Sequence, residues 1–74
     1  MEDLKESING SFESTRSTYQ QDNLKAEVWK TTSGSYGVRF WKSQVWQKDE
    51  LYRGHSEGYA EDAAENYVLG VKFI

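Results

Sequence analysis

The stretches Leu24-Lys25-Ala26-Glu27-Val28-Trp29 and Tyr36-Gly37-Val38-Arg39-Phe40-Trp41 decide how this chain is read. In each, the side chains alternate with a period of two, the period of a strand whose neighbours point to opposite faces. Between them Thr31 to Ser35 reads as a loop, with Gly34 able to take a positive φ. A third strand runs from Val45 to about Tyr52, entered through the turn Ser43-Gln44 and closed by Gly54. That turn lacks the Gly or Asn that a tight hairpin prefers.

Beyond Gly54 the period changes to that of a helix. Ser56 has the chemistry of an N-cap, and Ala60, Ala63, Ala64, Tyr67, Val68 and Val71 follow at the spacing of one apolar stripe. The opposite face carries Glu57, Glu61, Asp62, Glu65 and Asn66, and reads as a solvated surface or, in the sharper reading, as one that meets a basic partner. Gly70 stands where a C-terminal cap belongs. The three alanines let such a helix lie close to a sheet. Val71 to Ile74 reads equally well as an extension of the helix or as a short edge strand.

Residues 1–22 are rich in Ser, Thr, Gln, Glu and Asn, with Leu4, Ile8, Phe12 and Tyr19 as isolated apolar positions. Leu4, Ile8 and Phe12 permit a turn or two of helix, which Asn9-Gly10-Ser11 interrupts, and the segment is expected to be a flexible acidic arm. The expected fold is therefore α+β. A three-stranded antiparallel β-meander is followed by one C-terminal α-helix packed on the sheet, the β-β-β-α domain occupying residues 23–74.

At 74 residues there is room for one small core, since a chain of this size buries only about 60% of its unfolded surface. Stability that slender favours binding over catalysis. With no cysteine and a single histidine, His55, disulfides and thiolate or imidazole metal sites are excluded. No cofactor is expected. His55 has no acid to orient it and reads as a residue leading into the helix. Asp49-Glu50 point to opposite faces of a strand and cannot share a substrate. Gly34-Ser35-Tyr36-Gly37 opens a strand, not a helix, and so is a turn and not a phosphate cradle. The chain is not expected to be an enzyme. Its apolar runs are short and Glu2 and Asp3 open the N-terminus, so neither a membrane span nor an export signal is expected, and the cytoplasm is the default location.

The net charge of −3 conceals a segregation: residues 1–22 and 55–74 each carry −3, and residues 23–54 carry +3. If Leu24, Ala26, Val28, Tyr36, Val38, Phe40, Val45 and Leu51 pack on the helix, the opposite face gathers Trp29, Trp41, Trp46 and Tyr52 with Lys25, Arg39 and Lys48. The other assignment makes the tryptophans the core over the alanine-rich helix and leaves the aliphatic face open. Under the first, the partner-binding residues are Trp29, Arg39, Trp41, Trp46, Lys48 and Tyr52. Aromatic residues and arginine are the residues of protein-binding hot spots, and equally of base-stacking platforms. The leading expectation is a non-enzymatic protein-binding module, its partner another protein or a second copy forming a homodimer. The alternative is a nucleic-acid-binding module on the same sheet, disfavoured because acidic flanks repel phosphate.

The run Gly54-His55-Ser56-Glu57-Gly58-Tyr59-Ala60-Glu61-Asp62-Ala63-Ala64 resembles the last strand-to-helix junction of double-stranded-RNA-binding domains, with Gly54, Ser56, Ala60, Ala63 and Ala64 on the framework positions. Glu57, Gly58 and Glu61 stand where that family has phosphate-binding lysines, so the resemblance implies fold and not RNA binding. The element order also resembles the sheet-reading DNA-binding domains of plant ethylene-response factors and phage-type integrase arms. That resemblance would give Lys25, Arg39 and Lys48 the groove-reading part. The run from Asp49-Glu50-Leu51-Tyr52 through Tyr59 to Tyr67 is similar to small uncharacterised proteins of tailed cyanophages. This implies a phage accessory role directed at a host protein.

Overall fold

The computed structural model describes residues 12–74. Strands β1 (Phe12–Gln21), β2 (Leu24–Thr31), β3 (Tyr36–Lys42) and β4 (Val45–Tyr52) precede a single helix among these residues, α1 (Glu57–Val68). The strands form one antiparallel sheet in the order β1-β2-β3-β4. The expected meander followed by a helix is present, but the sheet has four strands and not three. The correction lies in the segment expected to be a flexible arm: residues 12–21 are β1, joined to β2 by a two-residue turn in which Asp22 takes φ +56°. Residues 1–11, including the Leu4 and Ile8 positions, lie outside the described residues.

β1 is a strand without strand-like patterning, for a physical reason. Its register against β2 shifts between Phe12 and Ser14 and again between Thr15 and Ser17, which makes Glu13 and Arg16 extra residues. Each bulge breaks the alternation and re-aims a side chain. Arg16 reaches Glu57 of the helix (Nε to Oε1, 3.5 Å), and the Ser17 hydroxyl donates to Glu61 (3.0 Å). The inner face of β1 is polar because it meets the acidic flank of α1. That flank is thus partly engaged, while Asp62, Glu65 and Asn66 face solvent.

Helix α1 lies across β2 and touches β1 and β3. Cross-strand pairs set Ala26 beside Phe40 and Val28 beside Val38, and all four are fully buried with Ala60 and Ala64 of the helix. The alanines bring helix and sheet together as expected. Phe40 fills the gap and meets Tyr67 edge-on at 4.8 Å between ring centroids. The Tyr67 hydroxyl donates to the Trp41 carbonyl (3.0 Å), and burial raises its pKa. Ser56 caps the helix by accepting the Tyr59 N–H (3.2 Å). At the other end Gly70 adopts φ +83°. The amides of Val71 and Lys72 then turn back onto the Asn66 carbonyl (2.9 and 3.0 Å). The last residues are therefore neither helix nor strand, and Val71 leaves the apolar stripe at 67% exposure.

The second correction concerns β4. Its pairing with β3 shifts between Phe40 and Trp41: Trp41 faces Trp46, but Phe40 faces Lys48, leaving Gln47 as an extra residue. A one-residue slip reverses every later side chain. Lys48, Glu50 and Tyr52 consequently share the helix side of the sheet, and Asp49 and Leu51 the other. Leu51 is not a helix-facing residue, and Val45, though on that side, is 61% exposed beyond the end of α1.

Candidate functional site on the tryptophan face

The aliphatic face of the sheet is the core, so the tryptophans lie on the face away from the helix. Trp29, Arg39, Trp41 and Trp46 come together there as expected. Lys48 and Tyr52, grouped with them by simple alternation, do not, because the Gln47 bulge turns both to the opposite side. Tyr52 instead packs against the core and meets Tyr59 edge-on at 5.3 Å. Its hydroxyl donates to Glu50 (2.5 Å), which also receives Lys48 (3.5 Å) and Lys72 (3.4 Å). Burial, followed by the bond to Glu50, drives the Tyr52 pKa well above that of free tyrosine. Burial would raise Glu50 as well, but the Tyr52 hydrogen bond and the two ammonium groups outweigh it and hold the carboxyl below its ordinary value.

Three residues that alternation did not single out complete the tryptophan face. Phe12, from the unexpected strand, stacks on Trp29 with centroids 5.8 Å apart and planes 10° from parallel. The Arg39 guanidinium lies 5.1 Å from the Phe12 ring and 5.4 Å from the Trp29 ring. The same guanidinium holds Asp49 through Nε to Oδ1 (3.0 Å) and Nη2 to Oδ2 (3.2 Å), and the Trp46 indole donates to that carboxylate at 2.8 Å. Asp49 is only 2% exposed, and such a desolvated carboxylate is tolerable because three N–H groups satisfy it. Glu27 does the same for the other two indoles, accepting from Trp29 (3.3 Å) and Trp41 (3.4 Å). Lys25 approaches Glu27 (3.9 Å) and sits over the Trp41 ring (4.7 Å).

The face is thus a lattice in which all three indole N–H groups and both cations have carboxylate partners on the same side. Its charges cancel, Lys25 and Arg39 against Glu27 and Asp49. A sequence signal existed for Glu27, which alternates with Lys25 and Trp29. Asp49 was concealed by the bulge. Elsewhere, His55 stacks on Tyr59 at 3.8 Å, and Thr31, though buried, is satisfied by Ser33 and the Ser35 N–H. Among the described residues no group of three His, Cys, Asp or Glu is placed to hold a metal ion. Nor is any helix there long and apolar enough to cross a membrane. No protein-family model, curated protein or solved structure matches this chain.

Proposed function

We propose that this chain is a non-enzymatic protein-binding module that docks through the tryptophan face of its sheet. The observation that carries the reading is the carboxylate lattice beneath the indoles. Aromatic residues and arginine dominate protein-binding hot spots, and here they are held in place before a partner arrives, which reduces the ordering cost of association. Both sheet edges are bulged, and bulged edges resist strand-to-strand addition. Docking by a face suits this fold better than docking by an edge. Charge favours a protein over a nucleic acid, since Arg39 and Lys25 already face carboxylates and Lys48 lies on the far side.

The test is capture from a lysate with the tagged protein, with and without nuclease, alongside Trp29→Ser. The expected result is a discrete protein that survives nuclease and is lost with Trp29→Ser while helix content by circular dichroism is unchanged. Capture abolished by nuclease, with affinity falling steeply as salt rises, would establish the nucleic-acid reading in its place. Recovery only of a second copy would make the face a homodimer interface.

A further inference from the structure

At the end of the sheet farthest from the loop 32–35, the β1–β2 and β3–β4 turns lie side by side and enclose a groove of about 710 Å³. From its geometry we infer a binding site for a neutral oligosaccharide. The volume is within the range of small-molecule sites, roughly 300–1,000 Å³. Trp41 is the groove's one aromatic lining residue, and every other lining side chain is polar.

That composition matches one ligand chemistry better than its rivals. A pyranose presents a face of weakly electropositive C–H groups and a girdle of neighbouring hydroxyls. The C–H face suits the electron-rich face of an indole. Hydroxyls act as donor and acceptor together, and are met by groups that can do both: the amides of Gln20, Asn23 and Gln44 and the hydroxyl of Ser43. A nucleotide would need surplus positive charge for its phosphate, whereas the groove offers one ammonium, Lys25, against one carboxylate, Asp22. A docking protein would need more apolar side chains than Trp41, the one among these lining residues. Lys25 shields the Trp41 ring at 4.7 Å; a sugar ring takes its place there, and the ammonium turns outward to donate to a hydroxyl.

The rim is also held in shape at a cost. Ser43 and Gln44 take φ +52° and +69°, a left-handed conformation that glycine or asparagine would adopt more easily. The two turns are tied together, Ser43 N–H donating to the Asn23 carbonyl (2.7 Å) and the Asn23 amide to the Ser43 hydroxyl (3.1 Å). This fixes the spacing of the polar groups. The inference does not rest on the protein-docking reading, whose test variant, Trp29, lies outside the groove.

The experiment is a titration of the isotope-labelled full chain with maltopentaose, cellopentaose and chitotetraose, each to about 10 mM, followed by the indole and backbone N–H signals. The expected result is saturable binding of at least one with Kd on the order of 1 mM, moving the Trp41 indole and the amides of Asn23 and Gln44 further than the Trp29 indole, which feels the ligand only through the shared Glu27. Gln44→Ala, an exposed substitution that leaves a Cβ at the same backbone position, should keep the spectrum of the fold and weaken binding about fivefold or more. No saturable shift with any of the three would overturn the site. So would shifts spread equally over all three indoles, or undiminished binding by Gln44→Ala.

Discussion

A Cβ on Gly37 would stand 2.7 Å from the Glu50 carbonyl oxygen and 2.8 Å from Cζ of Phe12. Gly37 is buried in the middle of a sheet where a glycine ordinarily weakens the strand. Here the Phe12 ring occupies the space that its side chain leaves, and that seat aligns Phe12 with Trp29 and Arg39. Gly37→Ala must push backbone or a ring that is itself stacked. It is expected to cost about 1–3 kcal/mol in urea denaturation, with the Trp29 environment altered in the near-ultraviolet. An unchanged midpoint would mean that Phe12 is not seated over this glycine.

The bulge at Gln47 does for β4 what the glycine does for β3: it decides what the tryptophan face contains. With it, Asp49 lies under Arg39 and Trp46 while Lys48, Glu50 and Tyr52 turn toward the helix side. Deleting Gln47 removes the extra residue and keeps Trp46, Lys48 and Asp49 opposite Trp41, Phe40 and Arg39, so the face survives it, whereas Asp49→Ala strips the Arg39 guanidinium and the Trp46 indole of the carboxylate they share. The loss from Asp49→Ala should exceed about 3 kcal/mol, enough to abolish the cooperative thermal transition of so small a domain. Replacing Gln47 with Ala keeps the extra residue and should shift the same transition by less than about 0.5 kcal/mol. Equal effects of Asp49→Ala and Gln47→Ala would show that the Asp49 carboxylate does not hold this face together.

Across the whole molecule, tyrosine hydroxyls couple the fold to pH. Burial raises the pKa of Tyr19, Tyr52 and Tyr67 above 10.0, helped at Tyr19 by the carboxylates of Glu61, Glu65, Asp62 and Glu57 and at Tyr52 by Glu50. The unfolded chain therefore releases these protons first, so their contribution is intact below the free tyrosine pKa and is lost as pH rises from there through the raised folded-state pKa. Stability measured in urea should fall steadily above about pH 10. Tyrosinate absorbance should lag behind that of the unfolded chain and then rise together with loss of helix. Tyr52→Phe should flatten the decline, and an unchanged slope would remove Tyr52 from the account.

Period and punctuation made much of this legible in advance: three strands, the alanine-faced helix, its Ser56 and Gly70 caps and the aliphatic core are all local patterns, written within a few residues of where they act. Two things were not. β1 carries one apolar side chain for each face, Phe12 and Tyr19, and its polar residues make sense only once Glu57 and Glu61 of a helix some forty residues later are opposite Arg16 and Ser17. The Gln47 bulge likewise has no local signature. The inventory of Trp29, Arg39, Trp41 and Trp46 follows from chain order, but their conversion into a neutral, carboxylate-braced surface depends on strand register, which is set by pairing between residues distant in sequence and not by any residue's own preference.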